Sequence, residues 1–288
     1  MIAGQGRACA PGWASVWLFA LAVAFGASPA AAQGAPDSAG PIQDNSFLIE
    51  EAYNQEQGVV QHISTFSRPD AGGAWAYSFT QEWPLGGIRH QLSYGVPLQH
   101  ADGSGTGLGD LALNYRYQLI GDPDARLLVA PRLTLLLPTG NDRQGRGAGA
   151  AGLQGNLPVS FMLAPKLATH WNAGFTLTPS SHDPLGQTAR TAGFNLGASA
   201  IWLLRPSFNL MVEALWLSTE SVVGAGRTER EKSVFLNPGI RWAFDFASGL
   251  QVVPGLAYTI GLGPSEGQDG VFLYLSFEHP FKRAASTP

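Results

Sequence analysis

From Val59 onward the chain alternates apolar and polar residues with a period of two. Within 167–177, Leu167, Thr169, Trp171, Ala173, Phe175 and Leu177 fall on one side. Ala168, His170, Asn172, Gly174 and Thr176 fall on the other. A β-strand sorts residues this way, because successive side chains point to opposite faces. The stretch 233–246 repeats the pattern: Val234, Leu236, Pro238, Ile240, Trp242, Phe244 and Phe246 oppose Asn237, Arg241 and Asp245. Twelve such segments are predicted, near 59–67, 74–83, 87–98, 108–120, 125–138, 153–164, 167–178, 191–204, 207–218, 232–246, 249–261 and 270–281. Boundaries read this way shift by a few residues, so the count spans roughly 10 to 14 strands.

The connections alternate too. Short links at 83–87, 121–124, 165–166, 205–206 and 247–248 separate longer polar ones at 68–73, 99–107, 139–152, 179–190, 219–231 and 262–269. Outer-membrane barrels pair short periplasmic turns with long outer loops. The expected fold is therefore all-β: a single antiparallel transmembrane β-barrel of twelve strands, most simply with both termini periplasmic. A soluble exported β-sandwich is the competing reading, but its water-facing side would be the thinly charged one, rich in Gly, Ala, Ser, Asn and Gln. Pro131, Pro158, Pro238 and Pro254 fall inside predicted strands, where each removes a ladder hydrogen bond and marks a bulge or strand end.

Tryptophan tests the faces. Trp75, Trp83, Trp171, Trp202, Trp216 and Trp242 all take the apolar side. All but Trp171 lie towards strand ends, so Trp75, Trp83, Trp202, Trp216 and Trp242 are expected to form interfacial girdles between lipid and water.

Composition agrees. Only 13% of the 288 residues are charged, against about 25% in soluble domains. The formal net charge of −4 offers no basic footprint for nucleic acid. Residues 1–32 carry one charged side chain, Arg7, then an apolar core and a small-residue end at Ala30-Ala31-Ala32, the pattern of a cleaved secretory signal peptide. The single cysteine, Cys9, lies within it, so disulfides and thiolate metal sites are absent from the expected mature chain. Residues 33–57 are expected to be a periplasmic linker or plug, 58–281 the barrel and 282–288 a tail. Within the first of these, 47–53 reads as a plug, a short helix or extra length on the first strand. Glu50 and Glu51 are adjacent and would face opposite ways in a strand.

With the apolar face on lipid, the other face lines the lumen. It holds Glu82, Arg89, Gln91, Asp110, Asn114, Arg116, Arg132, Asn156, His170, Asn172, Glu213, Asn237, Arg241, Asp245 and Glu278. The near balance of signs points to ion pairs that position one another rather than to a one-sign selector. The same charges serve equally well to fill and brace the barrel.

Chemistry of other kinds is weak. His90 and Ser93, three apart, face opposite ways and make no nucleophile–base pair. His170 has Asn172 but no serine on its own strand face. His62 and His279 have no ligand-spaced partner, so no metal is expected. The stretch from Gly103 to Asp110 lacks the Lys-Ser/Thr of a phosphate loop. The loop from Asn141 to Arg146, with two arginines, is by default solvated, though it suits lipopolysaccharide phosphates. Glu266 and Asp269 are too sparse for calcium. No cofactor is implied.

Several short motifs carry a family resemblance. They are Gly107-Leu108-Gly109-Asp110 before a strand, Leu137-Pro138-Thr139-Gly140 ending one, and Asn45–Gln55 followed by Gly58-Val59-Val60-Gln61-His62. Over about Asn45 to Phe281 the chain resembles the bacterial outer-membrane family named for the MetA pathway of phenol degradation. The resemblance implies a Gram-negative outer-membrane barrel that admits aromatic or other small hydrophobic compounds, with no catalytic residues. Phe281 stands as the terminal aromatic, followed by a tail where the usual barrel ends. The expected function is passive passage of small solutes through a monomer in contact with outer-membrane lipid and lipopolysaccharide. A non-conducting structural or adhesive barrel is second, and a lipid-modifying barrel enzyme third.

Overall fold

The computed structural model describes residues 46–122 and 125–281. The expected signal peptide, residues 33–45 of the linker and the tail 282–288 lie outside them. Fifteen strands form one antiparallel sheet. They are β1 (Val59–Pro69), β2 (Trp75–Pro84), β3 (His90–Ala101), β4 (Gly105–Leu108), β5 (Leu111–Tyr117), β6 (Leu127–Val129), β7 (Arg132–Leu137), β8 (Gly152–Ala164), β9 (Leu167–His182), β10 (Thr188–Arg205), β11 (Phe208–Gly224), β12 (Arg227–Trp242), β13 (Phe244–Asp245), β14 (Gln251–Gly261) and β15 (Gly270–Pro280).

The sheet closes on itself where β1 meets β15, from Val59↔Pro280 to Pro69↔Gly270. Closure pairs the backbone groups that an open edge would leave bare in lipid. Three staves are each made of two strands: β4 with β5, β6 with β7, and β12 with β13. The wall is thus a closed barrel of twelve antiparallel staves, as the alternation predicts. Among the described residues, no helix is long and apolar enough to cross a membrane.

The breaks within staves explain the prolines. Pro131 separates β6 from β7. Pro158 lies opposite that break, since β8 pairs with β6 at Val159 and with β7 at Asn156. The β12–β14 ladder runs Phe235↔Gly261 and Leu236↔Ile260, then resumes at Gly239↔Ala257, passing over Pro238. Pro254 lies between Gly255, paired with β12, and Val252, paired with β13. Each ring therefore stands where one neighbour asks for no hydrogen bond.

Two hairpins are longer than expected. The links at 179–190 and 219–231 are largely strand, and β9–β10 and β11–β12 pair out to His182↔Thr188 and Gly224↔Arg227. Their apolar alternation fades because both faces meet water beyond the lipid band. Backbone pairing continues without it.

The outer face carries the exposed apolar band that lipid requires. Trp171 is 51% exposed and Trp202 44%, among many half-exposed leucines such as Leu133, Leu157 and Leu196. Trp75 and Trp83 end β2, and Trp242 ends β12. Trp202 lies close to the end of β10, whereas Trp216 stands midway along β11, because that strand runs on to Gly224.

Candidate functional site

The lumen is occupied by residues 46–56, which cross it as an irregular strap, bent at 47–49 and at 52, before a turn at 57–58 leads into β1. Phe47, Ile49, Ala52, Tyr53, Asn54 and Gln55 are all buried. A segment outside helix and sheet has no ladder for its peptide groups, and unpaired buried groups are costly. Here wall side chains replace the ladder. Glu213 Oε1 accepts the backbone N–H groups of Phe47, Leu48 and Ile49 at 2.9, 2.7 and 3.1 Å. Ser160 Oγ accepts the Ala52 N–H at 2.7 Å. Gln118 and Gln91 accept from Asn54 and Gln55. In return, Arg116 donates to the carbonyls of Glu51 and Tyr53 and to Asn54 Oδ1, and Gln118 donates to the Ala52 carbonyl. With Asn172 of β9 at Glu50, the strap is thus fastened to β11, β9, β8, β5 and β3 in turn.

Packing sets the depth of the strap. Phe47 lies on the rings of Phe272 and Tyr274, with centroids 5.7 and 5.2 Å away. It fills the space over Gly239 and Gly255, where a Cβ on Gly239 would lie 2.7 Å from the ring. Around it Ile201, Met211, Val253 and Ala257 form an apolar sector of the inner wall. The polar residues that mark the inner face in the sequence do not include this sector. A signal was available, because Glu278 inward carries Tyr274 and Phe272 inward with it.

Charges are paired locally rather than across an open lumen. Arg132 holds Glu50 of the strap, with Nε at 2.8 and 2.9 Å from its oxygens. It also reaches Asn114 and Gln154. Arg116 lies 3.5 Å from Glu82, and Gln91 bridges to the same carboxylate. Glu213 takes the Asn237 amide on its second oxygen, and Thr259 donates onward to Asn237.

The structure places the sequence-predicted lumen residues unevenly. Glu82, Asn114, Arg116, Arg132, Asn172 and Glu213 surround the strap, and His170 and Arg241 are buried beside it. Asp245 and Glu278 lie at the short-turn end, where they line a cavity of about 240 Å³ with Glu51, Glu56 and Gln251. Arg89 is exposed in the turn between β2 and β3, outside the strand assigned to it, because β3 begins only at His90.

Asp110 lies at the opposite end. Its carboxylate accepts the Gly140 and Ala148 N–H groups at 2.9 and 2.7 Å, which fastens the loop 138–151 across the long-loop rim. From that loop Arg146 donates to the carbonyls of Ser104 and Gly105, covering the edge of β4. The loop is therefore packed rather than solvated at Arg146, which is buried.

Histidines meet partners that spacing did not reveal. His170 Nδ1 and Ser160 Oγ are 2.6 Å apart, brought together by neighbouring strands β8 and β9. Both are fully buried under the strap, and Ser160 also receives Ala52. His62 and His279 face each other across β1 and β15, with their Nε2 atoms 3.3 Å apart. His90 bonds the Tyr115 hydroxyl at 2.7 Å, while Ser93 turns inward to Asn114. Among the described residues no three His, Cys, Asp or Glu side chains are grouped to hold a metal.

A closed antiparallel barrel with a lipid-facing apolar band and a polar, strap-filled interior defines the class of outer-membrane β-barrels. The chain belongs to the family described as "Putative MetA-pathway of phenol degradation", whose model matches residues 37–261. Its fold is similar to the COG4313 outer membrane channel from Pseudomonas putida F1, with a TM-score of 0.59 and 12% identity over 79% of this chain and 97% of that one. It is also similar to the NanC porin, with a TM-score of 0.50 and 9% identity over 77% of this chain and 99% of that one. No curated protein matches the chain.

Proposed function

We propose that the protein is an outer-membrane channel for passive passage of small solutes, aromatic and hydrophobic ones among them. The strap at 46–56 occupies the path. The observation that carries this reading is how the strap is held. Separate wall side chains fasten it, Glu213 at 47–49, Asn172 at Glu50 and Ser160 at Ala52, and no β-ladder locks it in place. Such contacts exchange with water singly, whereas a ladder is lost only as a unit. The apolar sector of Ile201, Met211, Phe272 and Tyr274 beside the polar one suits a solute with an aromatic body and a polar tip. Short turns at one end and long hairpins at the other favour a periplasmic location for both termini.

Single-channel recording on purified monomer tests the proposal, with wild type compared against a variant lacking residues 46–56. Small conductance in wild type and a larger one in the variant is the expected result. No conductance and no solute uptake in either would sink it. The second reading is a barrel that does not conduct, and the occupied lumen favours it. Conductance absent from wild type and unchanged by strap removal is its signature.

A further inference from the structure

The outer wall carries a pocket at the short-turn end that a path through the lumen does not use. It is an open depression of about 440 Å³ lined by Leu204, Arg205, Ser207, Phe208 and Trp242. Local sequence builds it. Leu204 shares the lipid side of β10 with Trp202, and the chain then turns through Arg205, Pro206 and Ser207 into β11. Phe208 pairs with Trp242 across β11 and β12, their ring centroids 5.6 Å apart. The result is an apolar shelf continuous with the lipid band, with a guanidinium and a hydroxyl at its rim.

Arg205 is exposed and pairs with no described carboxylate. A second cation is close in the fold, since the Leu203 N–H donates to the Lys166 carbonyl at 3.0 Å and so joins the two turns. The setting repeats around the rim. Arg89, Arg126, Lys166 and Arg205 place one exposed cation in each of four short connections. A lone interfacial arginine only snorkels to water. A concave aromatic shelf beneath it adds a place for a chain.

We propose that this pocket binds the phosphate of a glycerophospholipid. Arg205 forks onto the phosphate oxygens, Ser207 donates to one of them, and an acyl chain lies along Leu204, Phe208 and Trp242. Guanidinium suits phosphate because its planar fork donates two parallel hydrogen bonds. The inference rests on the short turns facing the periplasm, where the adjoining leaflet is glycerophospholipid. It does not require the barrel to conduct.

Native mass spectrometry of the full barrel, titrated with phosphatidylglycerol and separately with lipid A, tests it. Wild type is expected to hold one phosphatidylglycerol more tightly than further copies. Arg205→Gln should weaken that adduct about fivefold, the worth of one cation beside an anionic headgroup. Phe208→Ala should weaken it as well. A heat-modifiable gel shift confirms that each variant is folded. Equal phosphatidylglycerol binding in wild type and Arg205→Gln overturns the proposal. So does lipid A binding that depends on Arg205 while phosphatidylglycerol binding does not. Orientation is read apart from binding, by labelling Lys166→Cys on whole cells with an impermeant maleimide. Labelling there shows that the orientation has failed, whatever the titration gives.

Discussion

Asn172 pairs with Glu50 as one strand residue pairs with the next. Its Oδ1 accepts the Glu50 N–H at 2.8 Å, and its Nδ2 donates to the Glu50 carbonyl at 2.8 Å. A single amide side chain on β9 thus stands in for a ladder partner at the middle of the strap. The same side chain takes the Asn156 amide at 3.2 Å, which ties the strap to β8.

Replacing that amide by an isosteric apolar group exposes the logic. Asn172→Leu leaves both backbone groups of Glu50 unpaired, and each buried orphan costs about 1–3 kcal/mol. Hydrogen exchange is expected to rise across 46–56 and to stay unchanged in β1 and β15. Equal protection of the strap in both proteins would refute the role given to Asn172.

Phe47 depends on two missing side chains. A Cβ on Gly255 or Gly239 collides with its ring, so Gly255→Val should expel Phe47 from its socket. Phe47→Ala should empty the socket instead, at about 3–5 kcal/mol for a fully buried ring. Both variants are expected to raise conductance over wild type, the valine variant without removing any strap residue.

The ion pair between Glu50 and Arg132 joins strap to wall, with side-chain exposures of 29% and 15%. Glu50→Gln and Arg132→Gln should each loosen the strap, and the double variant should lose less than their sum. A coupling of about 0.5–3 kcal/mol is expected for contacting charges. Strap protection in exchange measurements gives the cycle, and additive losses would mean that the two charges act separately.

The loop 138–151 should respond to acid. A hydrogen bond from His182, at 2.9 Å, holds the Asp142 carboxyl below its usual range. A lowered folded-state value means that the contribution is present above the unfolded pKa and lost as pH falls through the folded one. Proteolysis of 138–151 should therefore accelerate below about pH 4, where carboxylates of ordinary pKa protonate. Asp142→Asn should show faster cleavage already at neutral pH and a flatter pH profile.

Much of the wall was legible in the sequence, because lipid imposes a period of two on every membrane-facing residue. Trp171 outward and His170 inward follow from parity alone. The hairpins beyond the lipid were not legible, since Glu229, Arg230, Glu231 and Lys232 meet water on both sides and lose the apolar rhythm. Arg89 was misplaced for a related reason: one polar residue at a strand end has no alternation to fix it.

The site was legible only as a list of inward side chains. Alternation states which way Glu213, Asn172 and Arg132 point, but not what they hold. Partners such as Ser160 with His170 or His62 with His279 depend on strand register, and the last pair on closure between the first and last strands. Residues 47–53 carry too little pattern to choose among plug, helix and strand. The sequence by itself determined the alternating faces, the twelve staves and the lipid-facing aromatics, because each is a local response to lipid. Only the tertiary structure decided that the strap crosses the lumen. Its hydrogen bonds to the wall come from residues 34 to 166 positions away, and no local rule reaches across that distance.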